Sequence, residues 1–321
     1  MTDRNGIAVV GTLLVDNIYE ISAYPAEGEL TQIRSVKRAC GGLVPNNGIG
    51  LKKIAPHMPV YAVGKVGKDD SGMFALDVMK QAGLDISSVK VSEGEATSFT
   101  AVMSIPGGQR TFFSYPGCCA TFGCDDIDWD HLPCKMLHLG YFLLLEKVDG
   151  GDGLKILQEA KARGIETSID LVSENSDRYS LVVPCLPYVD NLIINELEAA
   201  KICGMEPSEE NLPRIAEKLL EMGVRQRVII HMPSFGLCKT RESLTLLPSV
   251  DLPKGYIKGK TGAGDAFCSG ALIAIARNAS DREILELAEA AAVASLSEAD
   301  AVSGIAEEKT LLENIRKFGR E

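Results

Sequence analysis

Basic residues are in the minority in this chain. Lysine and arginine number 33 against 44 aspartates and glutamates, a formal net charge of -11, and no basic run occurs. Nucleic-acid binders need cations that displace counterions from phosphates. The deficit therefore argues against a nucleic-acid partner, while leaving room for one cleft that takes a nucleotide. No stretch approaches the ~20 apolar residues of a membrane helix. The run Ile7-Ala-Val-Val10 soon meets Asp16 and is too short for the core of a secretory signal. A cytoplasmic protein with no membrane partner is expected. Low-complexity tracts, charge blocks, internal repeats and Pro/Gly/Ser-rich linkers are also missing, so residues 1–321 are expected to form one domain. Nine cysteines are present, but without the paired short spacings of a zinc module. Cys118, Cys119, Cys124, His131, Cys134 and His138 are close in sequence yet span a turn, a loop and a strand. They read as loop and core thiols of a reducing compartment rather than as a metal site.

What is present is an alternation. Short β-rich apolar runs at Ile7–Val10, Val60–Val66, Met136–Leu139, Thr167–Asp170, Asn191–Ile194 and Arg227–His231 are separated by helical patterns at Asn46–Ala55, Ser71–Gln81, Gly153–Arg163, Glu196–Ile202 and Glu209–Met222. Strands joined by helices of this length make crossover units, hence a doubly wound, mostly parallel sheet with helices on both faces. Two regions break the rhythm. Residues 13–38 carry strand-like pieces around Pro25 and Gly28. Residues 98–115 read as two strands joined by Pro106-Gly107-Gly108. They predict a small separate β-sheet, a lid over one end of the main sheet. The last third predicts helices at Gly264–Arg277, Asp281–Leu296 and Glu308–Phe318, the first two apolar on most faces and so packed against the sheet.

The segment that carries chemistry is Lys258-Gly-Lys-Thr-Gly262-Ala-Gly-Asp265, which runs into an apolar helix. Gly262, Ala263 and Gly264 let backbone N–H groups face outward with no side chain in the way, and the helix N-terminus adds partial positive charge. The turn is an anion hole for a phosphate or for a phosphoryl group in transfer. A carboxylate at that place, Asp265, either caps the helix or takes a proton from an attacking hydroxyl. A Walker loop is excluded, because only three residues separate Gly255 from Gly259-Lys-Thr261. A dinucleotide fingerprint is excluded too, because Gly11 is followed by Thr12-Leu-Leu14.

With Gly262-Ala-Gly-Asp265, the segments Gly41-Gly42-Leu-Val-Pro-Asn46, Val63–Gly72 and Asn195-Glu-Leu-Glu198 occur in order along the chain. Taken together they resemble the PfkB, or ribokinase-like, carbohydrate kinases. The resemblance implies a three-layer sandwich with a β lid and transfer of a phosphoryl group from ATP to a hydroxyl of a small sugar. It implies Asp265 as base, the Gly262–Asp265 turn as anion hole, and a sugar pocket formed by Asp16, Gly41, Gly42 and Asn46, with Asn47 as the register rival of Asn46. It also implies Asn195 and Gly236 at the nucleotide, Glu198 acting on Mg²⁺ through water, and a homodimer formed through the lid. Phe112 and Tyr115 are candidates for the pocket wall, against the alternative of packing within the small sheet. Lys65 and Arg110 read as surface or lid charges. Two departures stand out. Gly259 and Lys260 occupy the place of the Asp-Thr pair whose carboxylate helps hold a monovalent cation, which weakens the case for K⁺. His231–Gly236 is bulkier than the family's nucleotide turn. A nucleoside kinase of the same fold is the alternative, and a catalytically silent sugar-binding or regulatory protein is the alternative of another class.

Overall fold

The computed structural model describes residues 4–106 and 110–319. Its centre is β1 (Ile7–Val10), four apolar residues that are all buried. β4 (Val60–Gly67) and β8 (Met136–Phe142) flank it, both parallel. Burial on both faces is what lets these strands be continuously apolar rather than alternating. With β5 (Val89–Ser92), β9 (Glu166–Leu171), β10 (Asn191–Asn195), β11 (Arg227–His231), β12 (Phe235–Lys239) and β13 (Leu244–Pro248) they form one sheet in the order β13-β12-β11-β10-β9-β8-β1-β4-β5. The antiparallel edge β12–β13 and the four-residue β5 are additions that the sequence pattern did not reveal. The segment His231–Gly236 is not a free loop: it closes β11 onto β12, and His231 pairs with Gly236.

Alternation along β1 serves two cores. Ala8 and Val10 face a core that takes in Ile156 and Leu157 of α3 (Gly153–Ala162), Ala199 of α4 (Glu196–Cys203) and Ile215 of α5 (Leu212–Glu221). Ile7 and Val9 face the other core, with α1 (Leu43–Ile54), α6 (Ala263–Ala276), α7 (Asp281–Leu296) and α8 (Glu308–Arg316). α2 (Asp70–Gln81) packs there through Ala75 and Met79. α6 is buried around nearly its whole circumference, as its apolar sequence requires. α5 starts at Leu212 rather than Glu209 because Pro213 takes the first turn.

A second sheet has the order β3-β2-β6-β7, built from β2 (Leu14–Ile21), β3 (Ile33–Gly41), β6 (Ser98–Ser104) and β7 (Arg110–Tyr115). β2 and β3 leave the main sheet between β1 and α1, and β6 and β7 leave it between β5 and β8. β6 and β7 are antiparallel, and Gly107 and Gly108 of their expected turn lie outside the described residues. Phe112 is 63% exposed, and Tyr115 rests on Phe99 with ring centroids 5.2 Å apart. Among the described residues no helix is long and apolar enough to cross a membrane.

Candidate active site

The sheet's strands run outward in both directions from β1, and ligands of such sheets bind in the crevice beyond the carboxyl ends of the strands. The chemistry-bearing residues gather there. α6 begins at Gly262, whose φ of 79° is left-handed. Glycine caps this helix, and Asp265 sits in its first turn without doing so. The Asp265 carboxylate reaches instead across the crevice. Its Oδ2 accepts from Asn46 Nδ2 at 2.8 Å and from Tyr141 Oη at 2.8 Å. Burial, and next the charge of Asp170, push Asp265 up to about 7, while its two donors pull the other way. A carboxyl group at that value can both accept and release a proton near neutral pH.

On the small sheet, Asp16 lies on β2 opposite Thr100 of β6, and burial raises its carboxyl above the usual range. A Cβ on Gly41 would lie 2.5 Å from Asp16 Oδ2, so glycine leaves that carboxylate its room. Gly42 follows at φ 90° and starts α1. A Cβ there would approach the Thr12 carbonyl oxygen to 2.7 Å. On α1, Asn46 reaches Asp265, whereas Asn47 is fully buried against the Cys268 thiol.

Asn195 and Glu198 form a reciprocal cap at the start of α4. Asn195 Oδ1 accepts from the Glu198 N–H at 2.9 Å, and Glu198 Oε2 accepts from the Asn195 N–H at 3.1 Å. Ser173 Oγ donates to Glu198 Oε1 at 2.9 Å. Glu198 is pushed up to about 7, first by burial and again partly by Asp170. Asp170, Glu198 and Asp265 share a cavity of about 420 Å³ with Tyr141, Asn195 and Lys260. Glu198 and Asp265 both carry raised values, but among the described residues the three carboxylates do not converge within direct reach of one cation, so a hard divalent ion here would be held through water. Both Glu198 oxygens already accept protein hydrogen bonds, which fits ligation through water. Beside it lies a cavity of about 600 Å³ walled by Gly236, Phe267, Leu247 and Ile257. The two share Asn195, His231, Lys260 and Gly264. Burial lowers His231 to about 4, so it is neutral there.

Tyr141, Asp170 and Ser173 belong to this site and were not singled out from the sequence. Their only local signal is position at or just past a strand's carboxyl end. Lys65 is not a surface charge: it is buried, with Nζ 2.8 Å from Glu95 and 3.8 Å from Asp126. Of the cysteine and histidine residues close in sequence, His138 converges with residues far from it. Its Nε2 lies 3.5 Å from Asp170 Oδ2 and 3.4 Å from Cys268 Sγ.

A doubly wound sheet with a small β-sheet at the exit of β1, and a buried carboxylate beside a glycine-capped helix start, is the framework of a phosphotransferase that uses an alcohol group as acceptor. The sequence pattern of the pfkB family carbohydrate kinases matches residues 4–308, and the chain belongs to that family. It is 24% identical to ribokinase of Arabidopsis thaliana over 314 residues, 97% of this chain and 81% of that one. It is 25% identical to adenosine kinase of Saccharomyces cerevisiae over 284 residues, 84% of this chain and 81% of that one. A structure of Arabidopsis thaliana ribokinase complexed with ribose and ATP shares the fold, with a TM-score of 0.83 at 22% identity over 98% of this chain and 99% of that one.

Proposed function

We propose that this kinase transfers the terminal phosphoryl group of ATP to a hydroxyl of a small sugar or sugar-like molecule, with Asp265 as general base. The observation that carries the reading is the place of Asp265. It is a buried carboxylate at the anion-binding start of α6, tied by Asn46 to the helix that follows Gly41-Gly42. Asp16 and the backbone at Gly41 and Gly42 offer groups to sugar hydroxyls, since a carboxylate can accept from two at once. Asp265 takes the proton of the attacking hydroxyl, and the N–H groups of residues 262–265 hold charge that develops on the transferring group. The apolar cavity beside Gly236 suits a nucleobase, and Asn195 stands between it and the polar cavity. Mg²⁺ would be held by Asn195 and Glu198 through water, and when bound it neutralises phosphate charge.

Lys260 is the one lysine or arginine among the described residues lining the two cavities. We assign its ammonium to the nucleotide phosphates, in the place where a monovalent cation would otherwise help. Lys260→Thr is expected to raise the KM for ATP about three- to five-fold, the scale of an exposed ion pair, and wild-type turnover is expected to be the same in Na⁺ and K⁺ buffers. A strong K⁺ requirement would remove this role from Lys260.

The pH dependence follows from the base. Only the ionised carboxylate accepts the proton, and Asp265 is raised to about 7. The kcat/KM of the free enzyme should therefore bend downward near pH 7 and fall about tenfold per unit well below it. A profile flat down to pH 5 would contradict a base of this kind.

ADP release with Mg-ATP, measured over ribose, fructose, ketodeoxy-sugar acids and nucleosides, tests the reading and finds the acceptor class. The identity to yeast adenosine kinase equals that to the plant ribokinase within one per cent, so a nucleoside acceptor is the second reading and belongs in the same panel. Sugar binding without ADP release from any acceptor would support the silent binding protein instead.

A further inference from the structure

Strand β8 loses its register with β9 between Leu139 and Phe142, and the break falls on Gly140-Tyr141. Tyr141 has φ 56° and Leu143 has φ 81°, left-handed values that bulky side chains avoid. A Cβ on Gly140 would sit 2.0 Å from Leu43 Cδ1 and 2.6 Å from Asp170 Oδ1, so the chain is pressed between α1 and Asp170 as it turns. Asp170 Oδ1 accepts the Tyr141 N–H at 2.6 Å and fixes the turn. Irregularities of this kind re-aim a side chain beside a site, and left-handed non-glycine residues persist where the surroundings over-determine them. Here they deliver the phenol to the base, with Oη 2.8 Å from Asp265 Oδ2.

We propose that Tyr141 is a positioning residue for the base: with Asn46 it fills the acceptor sites of Asp265 Oδ2 and leaves Oδ1 to take the acceptor's proton. The inference rests on Asp265 being the base. A carboxylate oxygen offers about two lone-pair sites, and Oδ2 has two donors in place. Among the described residues Oδ1 has none, and Asp265 lines the polar cavity. Both donors favour the ionised carboxylate, against burial and against Asp170. The hydroxyl of Tyr141 therefore fixes which oxygen acts and keeps that oxygen ionised at lower pH.

The test is Tyr141→Phe, which keeps the ring and removes the hydroxyl, beside Asp265→Asn and the double variant. Expected for Tyr141→Phe are a kcat lower by about tenfold, less than the roughly 10²–10⁴ that the proton-transfer group itself contributes, a KM for ATP within twofold of wild type, and an acid limb of kcat/KM moved to higher pH. In the Asp265→Asn background the same change should alter the residual rate less than twofold, because nothing is left to position. A ring that only packs would leave the acid limb where wild type has it, and that result overturns the proposal even if the rate falls. Full activity of Asp265→Asn would instead remove the base itself. Inactivity of Asp265→Asn with an unmoved limb in Tyr141→Phe removes Tyr141 alone.

Discussion

Asp265→Asn should lower kcat by a factor on the order of 10²–10⁴, the range that general-base catalysis contributes, and leave the protein folded. The local geometry makes this an unusually clean substitution. Asn46 Nδ2 and Tyr141 Oη both donate to one carboxylate oxygen. They select the amide orientation that turns its carbonyl oxygen toward them. The amide NH₂ then occupies the place of Oδ1, where it donates and cannot accept a proton. Stability should move the other way. A carboxyl raised from 3.8 to about 7 by burial and by Asp170 binds its proton more tightly in the folded state. Its contribution to stability is present at low pH and is lost as pH rises from the unfolded value through about 7. The neutral amide escapes that loss, so at pH 8 the variant should melt at or above the wild-type temperature. ATP binding, measured by calorimetry, should be kept or tightened, since one negative charge leaves the crevice. Turnover within a few-fold of wild type in a folded variant would take the base role away from Asp265.

That prediction was already present in the sequence; the reasons behind it were not. The Gly262-Ala-Gly-Asp265 turn is local, and its small residues, its helix and its carboxylate can be read together. The partners of Asp265 come from Asn46, 219 positions away, and Tyr141, 124 away, and no periodicity joins such positions. Asp170 looked like the polar end of a strand. Only the β9 neighbourhood shows it raising Asp265 and Glu198 at once. The central parallel strands β1, β4, β8, β9, β10 and β11 were legible because burial on both faces makes each a mostly apolar run, whereas the parallel edge strand β5, Val89–Ser92, is half-exposed and was not. β12 and β13 were not: Phe235–Lys239 and Leu244–Pro248 are edge segments whose strand character comes from pairing with β11 and with each other. Lys65 shows the same limit. A lysine near the end of the strand Val60–Val66 reads as a surface charge, and tertiary structure buries it against Glu95 instead.

The anion hole itself can be tested with two glycines in one connecting segment. Gly255 and Gly262 have nearly the same left-handed backbone, φ 83° and 79°, so replacing either by alanine costs about 1–2 kcal/mol in backbone terms. Their surroundings differ. A Cβ on Gly255 meets nothing within 4 Å, whereas one on Gly262 would lie 2.2 Å from Ala301 Cβ and 2.5 Å from Ala301 Cα. Ala301 has little freedom to retreat. Asp300 Oδ1 accepts the Val302 and Ser303 N–H groups at 3.0 and 2.7 Å, and Lys53 Nζ ties the carbonyl oxygens of the same two residues to α1. The Gly262 turn must therefore shift instead, and with it the N–H groups that lead into Asp265. Gly255→Ala should lower the melting temperature by about 1–3 °C with kcat unchanged. Gly262→Ala should lose kcat and kcat/KM together by about 10²-fold, the scale of losing one preorganised donor. A joint fall marks an interaction made in the transition state rather than in substrate binding. Equal thermal losses with equal, near-normal kcat in the two variants would make the Gly262 turn a helix cap and nothing more.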